Sequence, residues 1–370
     1  MALLAMSSAL LAQSLSAPPG GDNQKARISQ WIGPVEVDIT YSSPNVHGPQ
    51  NIDRKGHIWG ELVPYGFVDQ GFGVKSAPWR AGANENTIIT FSHDVKVGGK
   101  DLKAGSYGFF IAPEKDAPWT LIFSKNTTSW GSFFYNANED ALRITATPED
   151  APYTEYLTYG FDSRKPASVV AYLQWENKRI PFTIEVPNVN DLYVALDRDE
   201  LRGTVGFNFR NFSQAAQFCA DHKINLEEAL TWADRAMDPI IGGQEDFNTL
   251  QTKAAVLNAL GRNADATVVM DKAIKLPSAS VAAIHQYAKT LLAAGKTDKA
   301  MEIFQYNFKT HPEEKFTTYV GLARGYTALG DKKNAIKNWE IAIKNMPENQ
   351  KRFAKVYEGE LQKLKEDKKS

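Results

Sequence analysis

Two patterns of apolar residues divide the chain. From Ala26 to Val186, apolar and polar positions alternate in short runs, the period-2 signature of half-buried strands. In Val35-Glu36-Val37-Asp38-Ile39-Thr40-Tyr41 the apolar side chains fall on one face. Leu142 to Ala146 repeats the pattern, and Ile180, Phe182, Ile184 and Val186 share a face further on. Gly98-Gly99 lies between Val95-Lys96-Val97 and Leu102, while Glu176 to Arg179 separates Trp175 from Ile180; both read as hairpin connections. About ten strand candidates at this spacing predict an antiparallel β-sandwich or barrel-like domain over residues 25–187. Six tryptophans, Trp31, Trp59, Trp79, Trp119, Trp130 and Trp175, fall in this half, where most are expected to fill the core.

After Val186 the alternation fades. Residues 188–212 read as a linker, and from Ser213 onward the period becomes helical with an internal repeat. The segments LNALGRNADATVVMDKAI, LLAAGKTDKAMEIFQYNF and YTALGDKKNAIKNWEIAI align. Each carries a glycine (Gly261, Gly295, Gly330), then an alanine five residues on (Ala266, Ala300, Ala335), then a proline (Pro277, Pro312, Pro347). The alanines lie 34 and 35 residues apart, the tetratricopeptide period. The glycine is expected to end a first helix in a left-handed cap, the alanine to let paired helices approach, and the proline to stop the second helix. Residues 213–349 therefore read as tetratricopeptide-like helical hairpins, with Ala229 marking a degenerate first unit. Residues 350–370, dense in Lys and Glu, read as a charged capping helix and tail.

Composition narrows the function classes. With 370 residues and 43% apolar content the chain is too long for one ordinary core and too apolar for disorder. The 42 basic and 43 acidic side chains leave no footprint for a phosphate backbone, so nucleic acid is not an expected partner. The one cysteine, Cys219 in AAQFCA, can form no internal disulfide and reads as a buried small hydrophobe. Ala2 to Ala12 is an apolar run too short to span a bilayer, of the length of a signal-peptide core, although no basic residue precedes it. Residues 1–17 are thus expected to be a signal peptide, and the protein exported, periplasmic or secreted, without a membrane span.

The blocks YSSPNVHG, IWGELVPYG, WRAGANENTIITFSHDV, LKAGSYGFF, WTLIFSKN and SWGSFFY follow in order, and over roughly residues 25–187 the chain resembles the bacterial family known as domain of unknown function 2911. The resemblance implies an exported β-rich protein, often with helical repeats behind it. It brings no established activity, so it assigns no catalytic residue. Between Tyr65 and Trp79 this chain carries an insertion, GFVDQGFGVKSAP, that shorter members lack.

The densest polar constellation is WRAGANENTIITFSHD, in which a strand Thr87 to Phe91 separates Arg80, Asn84 and Glu85 from His93 and Asp94. One reading makes Glu85 with His47 or His93 a general base and acid, with Arg80 holding an anionic substrate. In a second, His47, His57, His93 and Glu85 supply ligands to a divalent metal. Along an unbroken strand Glu85 and His93 would stand about 26 Å apart, so a site built on Glu85 needs His47 or His57. The third reading is structural: Arg80 and Glu85 close a loop as an ion pair, with Asn84 in a left-handed turn. For a bound small molecule or glycan, the candidate contacts are Arg80, Asn84, Glu85, Tyr65 and Trp79. The aromatic run from Trp130 to Tyr135, with Phe67 and Phe72, could add a stacking surface or simply cover the open end of the sandwich. His222, His285 and His311 are expected on the surface of the repeat. Two functions follow: a binding or scaffold protein that engages a protein partner through its helical repeat, or a small-molecule hydrolase or lyase, metal-dependent in one version, with its pocket at one end of the sandwich.

Overall fold

Strand β1 (Gln24–Ile32) turns at Gly33-Pro34 into β2 (Val35–Ser43), whose Val35, Val37, Ile39 and Tyr41 are buried on one face as the alternation demands. The computed structural model describes residues 23–366; the segment expected as a signal peptide lies outside them. The chain divides between Tyr193 and Val194 into two units.

In the first unit eight further strands follow: β3 (Thr87–Phe91), β4 (Val95–Val97), β5 (Lys100–Leu102), β6 (Gly105–Ala112), β7 (Trp119–Ser124), β8 (Asp140–Ala146), β9 (Glu149–Lys165) and β10 (Ser168–Glu185). All pair antiparallel. One sheet has the order β1-β2-β3-β6-β7-β8, the other β5-β4-β10-β9, and together they form a sandwich. Their facing rows meet in an aromatic core, where Phe182 of β10 lies 5.5 Å from Phe109 and 6.1 Å from Phe123. Each such fully buried side chain contributes roughly 1.5–3 kcal/mol. Gly98 and Gly99, at φ +57° and +78°, make the two-residue turn between β4 and β5.

The hairpin expected at Glu176 to Arg179 does not form, because β10 runs straight through these residues. Register shifts against β9 on either side of Glu176, which sits at φ +49°, mark an irregularity that absorbs the local polar cluster. The Glu176 carboxylate is buried and accepts the Gly56 N–H at 2.5 Å.

Residues 188–212, expected as a linker, hold helix α1 (Val189–Glu200) and a 3₁₀ turn at Thr204–Phe207. Then come α2 (Phe209–His222), α3 (Leu226–Arg235), α4 (Phe247–Ala259), α5 (Asn263–Ala273), α6 (Val281–Ala293), α7 (Thr297–Thr310), α8 (Thr317–Ala328), α9 (Lys332–Lys344) and α10 (Ala354–Glu366). Helices α2 to α9 pack as successive pairs, consistent with a repeat fold. Gly261, Gly295 and Gly330 follow α4, α6 and α8 at φ +79°, +74° and +76°, the left-handed conformation that closes a helix C-terminus. Ala229, Ala266, Ala300 and Ala335 are buried on the second helices. Cys219 is buried on α2, and burial raises its thiol to about 11. His285 corrects an expectation: it is buried rather than on the surface, because it shares the inward stripe of α6 with Ile284, Ala288 and Leu291. Among the described residues no helix is long and apolar enough to cross a membrane.

Candidate functional site

The candidate residues sit on the long segment that joins β2 to β3. Strand β3 starts opposite Phe109, which leaves the edge of β6 beyond it without a neighbour. Trp79 takes that place: its N–H donates to the Ile111 carbonyl and its carbonyl accepts the Ile111 N–H, each at 2.8 Å. The chain then turns sharply. Ala81 adopts φ +51°, a left-handed conformation that costs a non-glycine residue roughly 1 kcal/mol or more, and its carbonyl is pinned by the Tyr159 hydroxyl at 2.8 Å and the Thr87 hydroxyl at 3.0 Å. Asn84 occupies the expected left-handed turn at φ +57°, and its carbonyl accepts from Arg80 Nη1 at 2.6 Å.

The insertion at residues 66–78 folds on itself. Val68 and Ala77 exchange backbone hydrogen bonds of 3.0 and 2.9 Å, Gln70 N–H reaches the Val74 carbonyl at 3.0 Å, and Gly66 N–H ties the base to Pro113 at 2.6 Å. This small hairpin, the Trp79-Arg80 turn and the loop around Arg54 enclose a cavity of about 490 Å³. Trp79 and Trp175 line it with stacked rings, 6.2 Å apart and 17° from parallel. Behind them Trp59 and Trp119 extend the cluster, with centroids 4.9 Å apart. Arg54, Arg80 and Ser132 supply polar wall.

Arg80 is half-buried. Its guanidinium lies 5.2 Å from the Phe133 ring and packs on Gly131, where a Cβ would collide with the guanidinium carbon. Burial pulls the group below its usual range. Among the described residues no carboxylate lies within salt-bridge distance of it. The expected Arg80–Glu85 ion pair is therefore not formed. Glu85 instead accepts from the Ser42 hydroxyl at 3.1 Å and pairs with Lys25 at 3.5 Å. Its own backbone N–H first, with help from the Lys25 charge and the Ser42 hydroxyl, holds its carboxyl below the usual carboxylate range in spite of the desolvation that opposes them.

The histidines go to three separate places. His47 lines a second, more open hollow of about 930 Å³, in which its Nδ1 lies 2.9 Å from Glu155 Oε2 and its backbone N–H donates to Glu155 Oε1 at 2.8 Å. Tyr153 donates to the same carboxylate at 2.5 Å. Burial alone would raise Glu155, but the His47 N–H, the Tyr153 hydroxyl and the imidazole together bring it down to about 2. His57 pairs with Glu61 at 2.9 Å, and His93 meets Ser92 at 2.9 Å beyond the far end of β3. His47, His57 and Glu85 thus have different partners, and among the described residues no group of three or more His, Cys, Asp or Glu side chains is placed to hold a metal ion.

Of the five candidate ligand contacts, Arg80 and Trp79 line the 490 Å³ cavity, and Asn84 anchors Arg80 from behind. Glu85 and Tyr65 do not line it; Tyr65 lies against Gly60. Three lining residues escape a reading of the sequence. Arg54 beside Lys55 looks like solvated charge, Ser132 is hidden inside an aromatic run, and Trp175 reads as core.

Residues 23–184 match the model of a family described as "Protein of unknown function (DUF2911)", close to the residues 25–187 over which the sequence resembles it. Among solved structures the chain is similar to MamA, residues 41 to the end, from Desulfovibrio magneticus RS-1, with 22% identity and a TM-score of 0.28 over 43% of this chain and 88% of that one. MamA of AMB-1 aligns with 15% identity and a TM-score of 0.27 over 41% and 90%. No curated protein matches the chain.

Proposed function

We propose that this is a binding protein in two parts: the β unit holds a small-molecule ligand in the cavity of Trp79 and Arg80, and the helical unit docks a segment of a partner protein. The observation that carries the first half is the cavity itself. It collects an aromatic wall and a half-buried cation, whereas Glu85 and His47, the candidates for acid–base work, face other partners. The second half rests on the tetratricopeptide-like spacing of Gly261, Gly295 and Gly330 and of the buried alanines. A hollow of about 680 Å³ between α2 and α4, lined by Gln214, Gln217, Asn248 and Thr252, offers amide and hydroxyl groups of the kind that pair with a peptide backbone. Export as a periplasmic or secreted protein belongs to the same proposal and rests on the apolar run Ala2 to Ala12.

A thermal-shift screen of small molecules against the full chain tests the ligand site. Compounds that stabilise the protein are expected to lose that effect in Trp79→Ala by about tenfold in affinity, since a buried aromatic wall contributes more than 1 kcal/mol to binding. Stabilisation that survives Trp79→Ala unchanged refutes the cavity as the site. One observation favours a second reading, a hydrolase or lyase: His47, 41% exposed, stands between two carboxylates, its Nδ1 2.9 Å from Glu155 and its Nε2 3.8 Å from Asp53 Oδ1. Turnover of a screened compound that is lost in His47→Gln would establish it.

A further inference from the structure

The lining of the 490 Å³ cavity includes two arginines and no aspartate, glutamate, lysine or histidine. The two guanidinium groups are used differently. Arg54 spends its Nε and Nη2 on the carbonyls of Val46 and Asn45, at 3.1 and 2.7 Å, and so fastens its own loop. Arg80 spends only Nη1, on the Asn84 carbonyl. No acceptor among the described residues takes a hydrogen from its Nε or Nη2, the edge whose two parallel N–H bonds match the two oxygens of an oxyanion. Ser132 stands on the same wall with 2% exposure, and its hydroxyl has no hydrogen-bond partner among the described residues. Gly131 and Phe133, on either side of Ser132 in the chain, both pack against the Arg80 guanidinium.

An unpaired, half-buried cation is costly to keep, and a neutral ligand would leave it unpaired. An anion would satisfy it. Trp79 and Trp175 present apolar ring surface to whatever carries the anion, and the volume suits a body of about one ring with its substituents.

We propose that the cavity binds a small oxyanion, a carboxylate or phosphate group carried on an apolar or ring-shaped body, with the Nε–Nη2 edge of Arg80 and the Ser132 hydroxyl on the charged end and Trp79 against the body. This rests on reading the cavity as the ligand site, and it names the class of ligand.

The test titrates the full-length protein with phenyl phosphate, benzoate and uncharged benzyl alcohol, following tryptophan emission, since two indoles line the site. At least one anion should bind saturably and about tenfold or more tighter than benzyl alcohol, with the better of the two identifying phosphate or carboxylate chemistry. Arg80→Lys, which keeps the charge and loses the fork, and Ser132→Ala should each weaken the anion and leave benzyl alcohol unchanged. Unliganded melting temperatures of both variants check that they fold, and Ser132→Ala keeps the test decisive if Arg80→Lys does not. Equal binding of all three probes, unmoved by these substitutions, overturns the oxyanion while leaving a ligand cavity in place. Absence of saturable binding by every probe also overturns it, whereas the cavity reading is decided by the Trp79→Ala screen.

Discussion

His285 shows how one buried ring fixes a pH dependence. Its Nε2 lies 3.1 Å from Arg324 Nη1, and its Nδ1 is buried with no partner. Burial first and the Arg324 charge second lower its pKa from the ordinary 6.5 to about 4. The unfolded chain therefore takes up the proton before the folded one. Stability from this group is complete above pH 6.5 and is lost as pH falls towards 4, by an amount on the order of 2–3 kcal/mol. Melting of the full chain between pH 7 and 4 should show a loss that is shallower in His285→Gln; identical slopes would show that the ring does not set it. This burial was not legible in the sequence, where His285 was expected on the surface; it follows once α6 is formed, because Ile284, Ala288 and Leu291 define the inward stripe on which His285 lies. Trp79 and Arg80 stood out in the sequence, because an aromatic and a charged residue adjoin ahead of a strand. The partners of Arg80 did not. They come from Asn84 and from the loop of Gly131 to Phe133, far along the chain, and only the pairing of β3, β6 and β7 brings that loop near.

At the level of elements, regular segments announced themselves and irregular ones did not. Strand β3 falls on Thr87 to Phe91 because its apolar positions alternate cleanly, and the Gly98-Gly99 turn follows from two glycines between short apolar runs. The polar stretch Glu176 to Arg179 looked like a turn; it is a continuous strand because Glu176 takes a left-handed conformation and finds the Gly56 N–H. The hairpin of residues 66–78 had no periodic signal, only its status as an insertion. Its hydrogen bonds are largely internal, with Gly66 to Pro113 the backbone tie at its base. Replacing residues 66–78 by a short Gly-Ser link should leave the β unit folded, with unfolding monitored by circular dichroism within a few degrees of the parent. It should also remove a wall of the cavity and weaken phenyl phosphate about tenfold or more. Unchanged affinity would mean that the insertion takes no part in the site.

For the molecule as a whole, the change from period 2 to a helical repeat was enough to separate a β half from an α half, and each has its own buried core. Strand order was beyond reach, since the chain leaves one sheet after β3, makes β4 and β5 in the other, and returns for β6. That crossing, together with the long excursion between β2 and β3, is what places Trp79 beside Ile111 and creates a cavity at all. This cavity, and not the hollow of His47, is the proposed ligand site. Hydrogen–deuterium exchange of the full chain with and without phenyl phosphate tests it directly. Slower exchange is predicted in residues 66–84 and 129–133; slowing confined to residues 45–51 and 153–158 around His47, or to the helical unit, would contradict it.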